Sequence, residues 1–165
     1  MIKKLRPNFY FKSIYAIPME FYKKHGITTI FADLDNTLVS DENRKRPAHF
    51  DRWYADCSNA KIKVFIVSNN RHKERVRAFV GDLPISWWHL ARKQNGKLFC
   101  KLMEEYTLSP REVAVIGDRV TTDIIGGNRA KMQTILVAPI IKDKNIFIRF
   151  IRIFEKRCIP AIEGE

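Results

Sequence analysis

Five short apolar runs of strand length recur along the chain, at residues 27–32, 62–67, 85–90, 113–116 and 134–137. Between them lie stretches long enough for helices, at 47–59, 70–80, 96–106 and 122–131. In the third of these, Leu98, Leu102 and Met103 fall at helical spacing. Short apolar strands alternating with helices predict an α/β fold, a mostly parallel sheet covered on both faces. No internal repeat, low-complexity tract or linker divides the chain, so one domain is expected, with a core at about 27–140. This pattern leaves the strand order open.

At 165 residues, 45% hydrophobic and 12% aromatic, the chain has enough apolar material for a folded core and is not of disordered composition. Cys57, Cys100 and Cys158 are odd in number, widely spaced and form no CxxC, so free thiols in a reducing cytoplasm are expected rather than disulfides or a zinc site. No apolar run approaches the ~20 residues that span a bilayer. The basic N-terminus lacks the aliphatic stretch and cleavage site of a signal peptide.

In parallel sheets, ligands bind beyond the carboxyl ends of the strands. The first strand exit carries Asp33 and Asp35 in "DLDNT", two positions apart on an extended chain and thus leaning the same way. The second carries Ser68, Asn69 and Asn70, just before an expected helix start where free backbone donors favour anions. The third carries Lys93 in "ARKQNGK", with Lys97 competing for the same role, and the fourth carries Asp118 and Asp123 in "GDRVTTD". Each piece alone is also a plain turn or helix cap, with Thr121 or Thr122 capping the last helix. Together they supply, in chain order, what phosphoryl transfer asks for: a carboxylate nucleophile, a hydroxyl, a cation and more carboxylates. Magnesium prefers oxygen ligands and would let adjacent acids coexist. Asp33, Asp118 and a backbone carbonyl near Asp35 make a suitable partial set, with Asp123 supporting or binding through water. Asp35 is placed to act as general acid and base. Ser68, Asn69 and Lys93 are placed to hold the phosphoryl group, with Lys93 also tying down the nucleophile.

These residues resemble the motifs of the haloacid dehalogenase (HAD) superfamily. "DLDNT" is similar to its DxDx[TV] first motif, "VFIVSNN" to its second at Ser68, Lys93 to the third-motif lysine, and "VIGDRVTTD" to the GDxxxxD form of the fourth. Relatives often have Pro after the lysine, where this chain has Gln94. The resemblance covers about residues 27–137. It implies a Rossmann-like domain in which Asp33 forms an aspartyl-phosphate, Asp35 is the acid/base, and Asp33, Asp35, Asp118 and Asp123 make the Mg2+ site. An aspartate at the acid/base position favours a phosphatase over a dehalogenase. Neither the gap from Thr37 to Ser68 nor that from Ser68 to Lys93 holds a cap domain, so an open site is expected. The layout, including "VIGDRVTTDIIGGNRA", resembles the subfamily IIIA phosphatases, among them phosphatidylglycerophosphate phosphatases. In "IIGG", Gly126 and Gly127 are expected to allow close packing or a turn.

The net charge of +12 sits mostly in the flanks. Residues 1–24 hold six basic groups against Glu20, and residues 141–157 hold six against Asp143 and Glu155, giving +5 and +4. In the tail, Asn145, Arg149, Arg152 and Lys156 form one polar stripe among Ile and Phe, the pattern of a helix lying in a membrane interface or docked on the domain. The aromatic head is expected to pack on the domain, since Pro18 interrupts it. An open phosphatase with such flanks (1–24 and 141–159) points to an anionic phospholipid head group as substrate. It would be cytoplasmic and peripheral on the inner face of the membrane, with no nucleic acid as partner. A phosphatase of a soluble nucleotide or sugar phosphate is the alternative enzyme. A non-catalytic nucleic-acid-binding module on the same fold is a third reading, which the intact acidic set disfavours.

Overall fold

The computed structural model describes residues 5–43 and 45–141. Six strands form one sheet: β1 (Phe9–Phe11), β2 (Thr29–Ala32), β3 (Lys63–Val67), β4 (Trp87–Trp88), β5 (Val113–Gly117) and β6 (Gln133–Val137). All neighbours are parallel, in the order β1-β6-β5-β2-β3-β4. The helices are α1 (Met19–Lys24), α2 (Ala48–Asn59), α3 (Lys73–Val80), α4 (Lys97–Glu105) and α5 (Ile125–Arg129).

The central strand β2 is buried throughout because both of its faces are covered. Ile30 and Ala32 join one apolar cluster with Phe21 of α1, Phe50 and Trp53 of α2, and Val76 and Phe79 of α3. Phe31, pointing the other way, joins a second with Phe99, Leu102 and Met103 of α4. The expected α/β sandwich is therefore the observed one. In α2 the buried side chains Phe50, Trp53 and Cys57 recur at helical spacing. The carboxyl end of α3 is closed from outside by Arg46. Its Nη1 donates to the carbonyls of Phe79 (2.9 Å) and Val80 (2.7 Å), and its Nε pairs with Asp51 at 2.7 Å.

Three features differ from the sequence reading. The head is part of the sheet: β1 pairs with β6, and Asn8 Oδ1 accepts from the Thr134 N–H at 2.8 Å. A three-residue Phe-Tyr-Phe strand is too short to register as a period, which is why it read as a flank. The head does pack on the domain, with Phe11, Ile14, Ile17 and Tyr22 buried. The strand expected at 85–90 shrinks to Trp87–Trp88, an edge strand paired with β3 alone. The helix expected at 122–131 is replaced by a π-helical turn, Val120–Ile124, running into the short α5. The amphipathic tail helix lies outside the described residues. Among those residues no helix is long and apolar enough to cross a membrane.

Candidate active site

Because every strand is parallel, all strand exits open on one side of the sheet. Register then sets which residues meet there. Ala32 of β2 is level with Ile116 of β5, and the Asp33 N–H donates to the Ile116 carbonyl at 2.9 Å. Asp33 and Asp118 thus leave adjacent strands side by side. The π-helical turn brings Asp123 back over the end of β5, and such widened turns are frequent at functional sites. Gly117 permits this approach, since a Cβ there would run into the Asp123 carboxylate. Asp33, Asp118 and Asp123 are all buried, with carboxylate oxygens within 4.8 Å of one another.

Lys93 enters this cluster from the loop after β4. Its Nζ lies 2.5 Å from Asp33 Oδ1 and 2.6 Å from Asp123 Oδ1. Lys97, its rival in the sequence, is exposed on α4. The loop that delivers Lys93 is strained, with Leu90 (φ 48°) and Arg92 (φ 45°) both left-handed. It is pinned by Asn69, whose Oδ1 accepts from the Lys93 N–H at 3.1 Å. From the other side α5 presses close, and a Cβ at Gly126 would meet the Lys93 carbonyl.

The electrostatics follow from burial. Loss of water pushes the Asp33 carboxyl up to about 7; Lys93 opposes this, while Asp123 and Asp118 add to it. Burial disfavours the Lys93 ammonium, but Asp123 and Asp33 more than offset it and hold its pKa above the ordinary value. Three buried acids around one ammonium leave an excess of negative charge, which a divalent cation would balance. Asp123 Oδ1, close to Lys93, has no hydrogen bond of good geometry. Its Oδ2 accepts from the Arg119 N–H (3.3 Å) and the Thr122 hydroxyl (3.2 Å). Hard oxygen donors in surplus over local positive charge fit a divalent metal.

Asp35 stands apart. Its carboxylate contributes no oxygen to the buried cluster. Instead Oδ1 pairs with Arg75 at 3.0 Å, and Oδ2 accepts from Asn70 Nδ2 at 2.8 Å. The expectation of two acids converging on one point is corrected here. Beyond the end of β2 at Ala32 each acid meets its own cation, Asp33 with Lys93 and Asp35 with Arg75. Arg75 was missed in the sequence because it sits among Lys73, Glu74 and Arg77 on a helix that reads as a solvated face. It also donates to the Ser40 carbonyl at 2.9 Å and to the Asn43 carbonyl, tying the loop after β2 to α3.

Ser68 is buried and, with Asn69, lines the same cleft. The helix after it begins only at Lys73, so Ser68 does not cap it; its hydroxyl accepts from the Asn70 N–H at 3.0 Å in a local turn. The cleft, of about 230 Å³, is lined by Asp33, Asp35, Ser68, Lys93, Arg119 and Asp123 among others. It adjoins a larger polar groove that shares Asp35, Asp41, Asn70 and Arg119 and adds His72, Glu74 and Arg75.

A doubly covered parallel sheet with acids gathered around a lysine at its strand exits suits the binding of a divalent cation and a phosphate group. Comparison with known proteins narrows the class. The HAD-hydrolase-like family model matches residues 90–141. The Bacillus subtilis (strain 168) protein named "Probable phosphatase YqeG" is 36% identical over 164 residues, covering 99% of this chain and 95% of that one. The cobalt-bound deoxy-D-mannose-octulosonate 8-phosphate phosphatase of Haemophilus influenzae aligns over 86% of this chain and 82% of its own, at TM-score 0.55 and 17% identity. The 3-deoxy-D-manno-octulosonate 8-phosphate phosphatase of Yersinia pestis covers 73% and 76%, at TM-score 0.50 and 14% identity. These two likenesses speak for the fold. The chain belongs to the HAD-like hydrolases, and it is a HAD-type phosphatase.

Proposed function

We propose that the protein is a magnesium-dependent phosphomonoesterase of the subfamily IIIA type, working through an aspartyl-phosphate on Asp33, with phosphatidylglycerophosphate as its substrate. The observation that carries this is the burial of Asp33, Asp118 and Asp123 around Lys93 at the strand exits. Asp33, Asp118 and Asp123 would hold the metal, which when bound draws negative charge off the phosphoryl oxygens.

The remaining chemistry belongs to side chains. Lys93 holds Asp33 in place and neutralises the incoming phosphoryl group. An Asp33 carboxylate oxygen attacks phosphorus, and the bond to the leaving oxygen breaks. Asp35 gives a proton to that oxygen, then takes one from the water that attacks the aspartyl-phosphate, breaking the bond to Asp33 and releasing phosphate. In the structure both Asp35 oxygens accept hydrogen bonds. To donate one, it exchanges a contact with Asn70 or Arg75. Ser68 and Asn69 are the groups we assign to the phosphoryl oxygens.

The lipid substrate is supported by the motif resemblance and by the basic flanks. Among the described residues the gap between Asp35 and Ser68 holds only α2 and β3, and that between Ser68 and Lys93 only α3 and β4, neither of them a cap over the leaving group. A second reading, a soluble sugar phosphate, draws support from the polar groove beside the cleft, whose acids and arginines suit hydroxyl groups. Phosphate release from phosphatidylglycerophosphate in vesicles, set against soluble sugar and nucleotide phosphates, separates the two. It should require magnesium, cease with chelator and cease in Asp33→Asn. Equal turnover of the soluble phosphates would overturn the lipid assignment and leave the chemistry intact.

A further inference from the structure

Among the described residues the exposed large hydrophobic side chains are Leu90 and Ile140, at 48% and 46% of full exposure. Isolated exposed aliphatics are ordinary on a protein surface. Their placement is what is unusual. The Leu90 N–H donates to the Asn70 carbonyl at 3.0 Å, and the Ile140 N–H donates to the Asn36 carbonyl at 3.1 Å. Asn70 and Asn36 both line the active-site cleft. Each aliphatic is therefore anchored to a residue of the cleft wall, one after β4 and one after β6, on strands either side of β2. Leu90 holds a left-handed backbone that leucine rarely adopts.

The exposed charges that follow the strand exits are mostly positive. Exposed cations follow β1 (Lys12), β2 (Lys45), β3 (Arg71 and Lys73) and β4 (Arg92). Exposed acids there are Asp41, Glu42 and Glu74, and Asp41 lines the cleft itself. Lys12 lies near Ile140, since the Ala138 N–H donates to the Phe11 carbonyl at 3.1 Å.

We propose that this rim docks on an anionic lipid bilayer, with Leu90 and Ile140 entering the interface and the surrounding cations meeting the head groups. Aliphatic side chains that leave water together with cations near anionic lipid give reversible, salt-sensitive binding. The docked orientation turns the uncapped cleft toward the plane in which lipid phosphates lie. The inference takes its functional meaning from the lipid-phosphatase reading of this site, and its test does not depend on turnover of that lipid.

The test is co-sedimentation of the full chain with vesicles of phosphatidylcholine alone or mixed with phosphatidylglycerol. Wild type should bind the mixed vesicles, weakly or not at all the neutral ones, and less as salt is raised. The double variant Leu90→Asp/Ile140→Asp should lose at least about tenfold in vesicle affinity, while keeping the circular-dichroism spectrum and monomeric size of wild type. Leu90→Asn, which suits a left-handed backbone, gives a second variant that keeps the fold independently of the double one and should show a smaller loss. Vesicle binding by both variants equal to wild type overturns the proposal and leaves binding to residues elsewhere. So does absence of wild-type binding, or a change confined to self-association on size exclusion. Intact rim-dependent binding without hydrolysis of phosphatidylglycerophosphate would refute the substrate and uphold the docking surface.

Discussion

Two acids only two residues apart live in opposite surroundings. Asp33 and Lys93 form an ion pair with side-chain exposures of 12% and 2%; Asp35 and Arg75 form one with 24% and 12%. The inner pair shares its lysine with Asp123, lies against Asp118 and is wedged by α5. The outer pair sits at the lip, where Arg75 also fastens the loop after β2. A buried ion pair is stiff and costly to break, whereas a partly exposed one exchanges partners readily. The roles we assign follow that division. A nucleophile needs a fixed position, and an acid/base needs to gain and lose a proton within each turnover.

The inner pair gives the largest expected effects. Asp33→Asn should lower kcat on the order of 10⁴-fold or more, measured as phosphate release with saturating magnesium. Substantial residual activity in that variant would move the nucleophile elsewhere. Lys93→Ala should abolish turnover comparably and, by leaving acids buried without their cation, destabilise the metal-free fold by about 3 kcal/mol or more in urea unfolding. Lys97→Ala should leave both nearly unchanged.

The outer pair should give intermediate and smaller losses. Asp35→Asn should cost about 10²–10⁴ in kcat with little change in stability by thermal melting. Arg75→Ala should cost roughly tenfold, in kcat more than KM, because it positions Asp35 without touching the phosphorus. An Arg75 effect as large as that of Asp35 would mean that the two pairs do not divide the work as described.

A separate prediction concerns pH. The folded-state pKa of Asp33 is raised from 3.8 to about 7, so the folded protein keeps a proton that the unfolded chain has lost in that interval. Metal-free stability should therefore decline as pH rises from about 4 to 7, and Asp33→Asn should flatten this decline. A divalent cation competes with that proton, so its affinity, followed by calorimetry, should weaken as pH falls below 7. Identical stability-pH curves for wild type and Asp33→Asn would show that Asp33 is not desolvated in solution.

Much of this was legible in the sequence, and the particular residues show why. The apolar runs at 27–32 and 113–116 report burial directly, because a strand covered on both faces is apolar at nearly every position, Thr29 being the buried exception in β2. The acids at their exits are neighbours in the chain or fixed in spacing to a strand end, so Asp33, Asp35, Asp118 and Asp123 could be picked out before any coordinates. Arg75 could not. It is a charged residue on a helix whose other charges face water, and nothing local separates it from Lys73 or Arg77.

By itself, then, the chain's pattern determined a parallel α/β domain and the chemistry offered at each strand end, since hydrophobic periodicity and residue type are local properties. Tertiary structure alone decided which lysine faces Asp33, that Asp35 turns to Arg75, and that β1 completes the sheet. Those outcomes depend on parallel register and on loops with left-handed residues at Asn36, Leu90 and Arg92. They are long-range contacts, made between residues as far as 126 positions apart, and no window of sequence contains both partners.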